Sequence, residues 1–199
     1  MMTTHEWLTT QATPLLHQIQ QTAFVTGIGT GELTQAQRDY YVAQDHYYIE
    51  RFTQMWQAME QQLPPELVAR QPKTLGEAGA HATLEPSAAA AQIKPGQHNL
   101  DYLAHMEALI AQGDGLTSML ALLPCTESYH LVAKQLGTRV ARFQGWIDYY
   151  RGPEYQAMTE WCWQVVDHLT TQRAITQSEL AGYLRAYEYE LLFWEKPMH

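Results

Sequence analysis

The stretch Val42-Ala43-Gln44-Asp45-His46-Tyr47-Tyr48-Ile49 decides how this chain folds. It sits inside one long helical run from about Thr34 to Gln62. Thr34-Gln35-Ala36-Gln37 opens the run with the pattern of a capping box, Thr at the N-cap and Gln at N3. Pro64-Pro65 closes it. A helix of about 28 residues is ~42 Å long, enough for the spine of a bundle. Spacings of i, i+4, i+7 and i+11 put Tyr41, Asp45, Tyr48 and Phe52 on one side. That face is aromatic apart from one carboxylate. An uncompensated charge is costly to bury. Asp45 therefore either pairs within the fold or receives a ligand that donates hydrogen bonds.

Working outward from this helix, the flanking sequence also reads as helical. Residues 5–21 present Trp7, Leu8, Leu15, Leu16 and Ile19 on one side, with Pro14 as a starting point or a kink. Residues 24–33 carry glycines at 27, 29 and 31 and read as a turn. No strand precedes them and no Lys follows, so they are not a phosphate loop. Glu66 to Arg70 starts a short helix, and glycines and prolines between Gly76 and Gly96 break the segment up to residue 98. Asn99 is a candidate cap for a helix through Ile110, followed by a turn at 112–115. Helices are then expected over Leu116–Leu136, ending at Gly137, over 138–150, over Glu154–Leu169, and from Thr176 to Trp194 with Thr176 or Ser178 as cap. No stretch alternates as a strand would. The fold class is all-α, a bundle of about seven to eight helices in one domain over 1–199.

Composition narrows the function. The 199 residues are 46% hydrophobic, enough for a sizeable core. The net charge of −9, without a basic cluster, argues against nucleic acid as a partner. No apolar run reaches the ~18 residues of a membrane span, and residues 1–7 have no signal-peptide pattern. The two cysteines, Cys125 and Cys162, form no disulfide framework, so a reduced, cytoplasmic compartment is expected. The chain has 12 Tyr and 6 Trp against 4 Phe, and these rings with polar handles suit a polar-aromatic pocket.

Three side chains stand out as carriers of chemistry. Cys125 follows Pro124, which deletes one helical hydrogen bond beside it, and Tyr129 lies one turn on. A cysteine on an apolar helix is commonly inert core, and the irregularity beside this one favours a reactive role. Glu190 shares a face with Tyr183, Tyr187, Phe193 and Trp194, although Glu188 and Glu195 compete for the same reading. Two carboxylates in aromatic surroundings and one thiol point to acid–base work with a covalent step. Metal binding is not expected, since His46 and Glu50 are one i, i+4 pair without a counterpart.

Four ordered segments resemble the thiaminase II (TenA) family. They are Phe24-Val25-x-x-Ile28-Gly29 with Gln44-Asp45-x-Tyr47-Tyr48, Tyr102-Leu103-Ala104-His105-Met106, Leu122-Leu123-Pro124-Cys125 with Tyr129, and Trp146-x-x-x-Tyr150 with Glu190-x-x-Phe193-Trp194. The resemblance implies a haem-oxygenase-like bundle without haem, a homotetramer, and hydrolysis of aminopyrimidines without cofactor. The implied reactions are conversion of 4-amino-5-aminomethyl-2-methylpyrimidine to hydroxymethylpyrimidine, and cleavage of thiamin, in thiamin salvage. By matching motif, Asp45 would accept hydrogen bonds from the 4-amino edge and Cys125 would attack C6. Glu190 would handle the proton transfers that expel the amine and admit water. Tyr48, Tyr102 and Tyr150 would line the pocket or orient those groups, with Phe24, Tyr129 and Phe193 as walls. The family's Glu and Leu-His helix between the second helix and the Tyr102 motif is replaced here by the Gly76–Pro95 segment, which leaves one wall open to question. Two other readings stand beside the hydrolase. One is a non-catalytic helical protein that binds a small aromatic or pyrimidine ligand. The other is a redox member of the same fold, which the lack of a basic, His-rich pocket disfavours.

Overall fold

The computed structural model describes residues 2–73, 76–136 and 142–198. Among them are ten α-helices and no strand: α1 Thr4–Gln21, α2 Ala23–Thr30, α3 Gln35–Glu60, α4 Pro65–Val68, α5 Ala78–Ala82, α6 Gln97–Ile110, α7 Gly115–Leu136, α8 Gln144–Arg151, α9 Pro153–Thr170 and α10 Gln177–Glu195. Only α4 and α5 fall below eight residues; of the eight longer helices, all but α2 are expected from the sequence.

Three of the long helices, α1, α3 and α10, begin at a threonine that caps them, whereas α6 and α9 start from Gly96 and Gly152 without a side-chain cap. Thr3, Thr34 and Thr176 each accept from the N3 backbone N–H, while Glu6, Gln37 and Glu179 return a hydrogen bond to the N-cap. Such a cap is worth about 1 kcal/mol. Of the two candidates for the last helix, Thr176 is the cap. Helix α7 is the axis. It is mostly apolar and buried along most of its length, and the polar residues it does carry, such as Ser118, Thr126, Glu127 and Ser128, are buried with it. Around it pack α3, α6, α8, α9 and α10.

Three local expectations are corrected. Residues 24–30 form α2 rather than a turn. Thr22 accepts from the Val25 N–H to start it, and Gly31 ends it at φ 75°. Its glycines serve packing: a Cβ at Gly27 would meet Leu33 Cδ2 at 2.4 Å, and one at Gly29 would meet Leu136 Cδ2 at 2.9 Å. Asn99 is not a cap, because α6 starts from Gly96. Its buried amide instead donates to the Gln44 backbone oxygen at 2.8 Å, tying α6 to α3. The broken segment after residue 76 is partly helical, and α5 packs on α8. Gly137, expected to end α7, and the start of the 138–150 helix lie outside the described residues.

Candidate active site

Helix α3 turns the Tyr41, Asp45 and Tyr48 face into the bundle, and all three are buried. Asp45 is 2% exposed. Tyr129 from α7 donates to its Oδ1 at a long 3.4 Å, and Tyr41 donates to the Tyr129 hydroxyl at 3.1 Å. On its other side stands His81 of α5, with Nε2 2.5 Å from Asp45 Oδ2. That approach is a charge pair rather than an aligned hydrogen bond, and Oδ2 has no hydrogen-bond partner of regular geometry. Burial lowers the His81 pKa and the Asp45 charge raises it, with the balance upward.

Glu77, just before α5, extends the cluster. Its Oε2 accepts from the Tyr150 hydroxyl at 2.7 Å and lies 3.8 Å from His81 Nε2. Burial and the neighbouring Asp45 carboxylate push its pKa to about 7. Asp45, Glu77 and His81 offer ligand atoms within 4.8 Å of one another, a donor set of metal-binding type. Here those donors are turned on each other and on Tyr150, so the cluster reads as an acid–base network.

Cys125 of α7 is 8% exposed. Burial pushes its thiol well above the usual range, with the carboxylates of Glu190, Glu77 and Asp45 adding to the shift, while a hydrogen bond with Tyr48 opposes it. Three carboxylates thus bear on one sulfur. The resting group is a thiol. Glu190 of α10 is 2% exposed, and its pKa is pushed to about 7 mainly by burial. Ser128 Oγ donates to its Oε2 at 3.2 Å. The Tyr102 hydroxyl and Trp194 indole N–H lie beside it, yet neither makes a hydrogen bond of regular geometry. Such buried, unsatisfied polar atoms are uncommon in native cores and are expected where a ligand completes the pairing.

A cavity of about 310 Å³ reaches Cys125 from the surface. Its apolar walls are Ile49, Phe52, Trp56, Tyr149, Tyr155 and Met158, and Glu77 is a carboxylate on its lining. The volume falls in the range of small-molecule sites.

The structure thus brings Asp45, Cys125 and Glu190 into one neighbourhood. Tyr48 joins them through Cys125, Tyr102 through Glu190, Tyr129 through Asp45 and Tyr150 through Glu77. Phe193 packs edge-on against Tyr48 and Tyr41. Phe24 stacks on Tyr41 at 4.8 Å, behind the site rather than on the cavity. Of the competing glutamates, Glu188 pairs with Arg185 at the surface and Glu195 is exposed, which leaves Glu190 as the buried one. His46 and Glu50 are exposed. The sequence reading missed Glu77 and His81. Their i, i+4 spacing was the available signal, hidden by the glycines around it.

The chain is similar to known proteins over most of its length. A model of the TENA/THI-4/PQQC family matches residues 83–199, more than half the chain and including Cys125 and Glu190. The aminopyrimidine aminohydrolase of Halalkalibacterium halodurans is 24% identical over 198 residues, covering 86% of this chain and 85% of that protein. The crystal structure of a candidate TenA-like thiaminase from Sulfolobus solfataricus P2 superposes with a TM-score of 0.85 at 18% identity, covering 100% of this chain and 97% of that one. A TenA family transcription regulator from Silicibacter sp. TM1040 gives a TM-score of 0.78 at 21% identity, covering 98% and 96%. These two structures establish a common fold. Among the described residues, no helix is long and apolar enough to cross a membrane.

Proposed function

This chain belongs to the TENA/THI-4/PQQC family, and from that premise we propose that it is an aminopyrimidine hydrolase using covalent cysteine catalysis. The observation that carries the reading is that the buried Cys125 thiol lines an aromatic-walled cavity together with Glu77, with the carboxylates of Glu190 and Asp45 within electrostatic reach. The substrate is 4-amino-5-aminomethyl-2-methylpyrimidine, with thiamin as a second candidate, and the product is hydroxymethylpyrimidine for thiamin salvage.

In this reading Asp45 accepts a hydrogen bond from the 4-amino edge of the ring, with His81 holding the carboxylate from its other side. Cys125 passes its proton to Glu190, and the thiolate adds to C6. A C6–S bond forms, the displaced electron pair moves to ring nitrogen N1, and that nitrogen takes from Glu190 the proton that Cys125 gave up. The ring is no longer aromatic, and its electrons drive cleavage of the bond from the 5-methylene to the amine. Positive charge then develops on the 4-amino nitrogen, opposite Asp45, where a fixed carboxylate stabilises it. Water adds to the exocyclic methylene with net transfer of its proton to the released amine, N1 returns its proton through Glu190 to the thiolate as that leaves C6, and aromaticity returns. Tyr48, Tyr102, Tyr129 and Tyr150 hold the acidic groups in place, and Phe193 closes the wall. A single domain over 1–199, assembly as a homotetramer and a cytoplasmic location belong to the same proposal and rest on the family resemblance.

The test is incubation of the protein and its Cys125→Ser variant with aminomethylpyrimidine and with thiamin, following hydroxymethylpyrimidine. Product from the wild type with at least a thousandfold loss in the variant is expected. No product from the wild type overturns the hydrolase reading in favour of a ligand-binding protein. Equal product from both removes Cys125 as nucleophile.

A further inference from the structure

The proton donor for the leaving amine is a separate question from the nucleophile, and the geometry separates the two. Glu190 sits inward of Cys125, 2% exposed, and is not part of the cavity lining. Glu77 and Cys125 line the same cavity, whose other walls combine aromatic and apolar side chains with Thr53, Gln57, Glu60, Gln71 and Thr126; of the two carboxylates, Glu77 is the one tied to Tyr150 and His81. An amine that leaves the 5-methylene departs through that cavity, and the attacking water enters through it. Glu77 lies on the wall of that passage. The Tyr150 hydroxyl, donating at 2.7 Å, holds the Glu77 carboxyl by Oε2.

We infer that Glu77 is a second catalytic acid–base of this site, serving the leaving group and the incoming water. This rests on the hydrolase reading above and alters the role expected of Glu190, which handles the Cys125 proton. The balance closes. The Glu77 carboxylic acid gives its proton to the amine nitrogen as the C–N bond breaks, and the bonding pair stays on that nitrogen. The resulting carboxylate takes a proton from water as the oxygen bonds to the methylene. Glu77 ends in its starting form, and one water is consumed for each amine released. A carboxyl whose pKa is held near 7 suits both halves of this cycle. His81, 3.8 Å away, and Asp45 beyond it are the charged neighbours that share the cluster.

The experiment compares wild type, Glu77→Gln and Glu77→Ala on aminomethylpyrimidine and on thiamin, with folding of each checked by thermal melting. Thiamin expels a neutral thiazole from a quaternary nitrogen and needs no proton at that step, whereas the amine does. The Gln variant retains the acceptor for Tyr150 and is the conservative control. Expected are a loss of a hundredfold or more in kcat on the amine substrate for both variants and a smaller loss on thiamin. Added formate is expected to restore part of the Glu77→Ala activity in a concentration-dependent way. Wild-type turnover with an undiminished Glu77→Gln variant overturns the inference and leaves the hydrolase reading intact. Equal losses on the two substrates without formate rescue also overturn it, assigning Glu77 to positioning. No wild-type turnover on either substrate overturns both.

Discussion

His81 Nε2 stands 2.5 Å from Asp45 Oδ2, and both groups are buried. Asp45 is therefore not a lone carboxylate waiting on an aromatic face. It has a protein partner at each oxygen, His81 at Oδ2 and, at a long 3.4 Å, Tyr129 at Oδ1. Removing one member of a buried pair strands the other, at a cost of about 3 kcal/mol. His81→Ala should lose about that much stability in urea unfolding. Adding Asp45→Asn to it should recover part of the loss, and purely additive effects would show that the two groups are not coupled.

Asp45→Asn alone separates recognition from folding. The amide keeps the shape but offers an N–H where the ligand's own donor would approach. The expected result is a rise in KM for aminomethylpyrimidine of tenfold or more, since a buried hydrogen bond to a charged group is worth about 1.5–3 kcal/mol. Steady-state kinetics reads this directly, and an unchanged KM would take Asp45 out of substrate recognition.

Tyr102 makes the opposite kind of prediction. Its hydroxyl is buried beside Glu190 without a hydrogen bond of regular geometry. Deleting such an atom removes a desolvation penalty rather than a bond. Tyr102→Phe should unfold at the same denaturant concentration as wild type, or a higher one, while its turnover falls. A marked loss of stability would mean that the hydroxyl is already satisfied in the free protein.

Glu127 is a buried acid away from the cavity. It accepts from Tyr187 at 2.6 Å, Tyr183 at 3.2 Å and Trp163 at 3.2 Å, and burial raises its pKa from 4.5 to about 7. A carboxyl with a raised folded pKa binds its proton more tightly in the native state. Its stabilising effect is full below about pH 4.5 and is lost as pH rises to about 7. The stability of wild type relative to Glu127→Gln should fall by about 2–3 kcal/mol between pH 5 and pH 8. Paired urea titrations at the two pH values check both sign and size.

The start of α7 depends on a close approach. A Cβ on Gly115 would lie 2.7 Å from the backbone oxygen of Gln62 and 2.9 Å from Leu63 Cδ2. Alanine gains helix propensity there, about 1 kcal/mol, but forces the backbone after α3 to move. The net effect of Gly115→Ala is expected to be a destabilisation of about 1–2 kcal/mol, visible as a lower melting temperature. An unchanged or higher melting temperature would show that this junction yields easily.

The sequence by itself determined the helices, because their signals are local. The capping box at Thr34 and the 3.6-residue spacing of Tyr41, Asp45 and Tyr48 act within one or two turns and the structure shows them as read, while at the last helix it selects Thr176 over Ser178 and completes a capping box with Glu179. Where the local signal misled, as at Gly27, Gly29 and Asn99, a distant contact overrode it: Leu33, Leu136 and Gln44 supply the packing or bonding that those positions serve. The members of the site divide in the same way. Asp45 and Cys125 were legible as misfits on their own helices. The choice of Glu190 over Glu188 and Glu195 was not, since all three lie on α10 and only its rotation against α7 buries one of them. Glu77 and His81 were least legible, because a short helix broken by glycine carries no periodicity. Only the packing of α5 beside α8, within reach of α3, sets His81 against Asp45 and Glu77 beside Cys125. A charge pair between separate helices is decided by burial and distance, and neither is written in the spacing of residues along one helix.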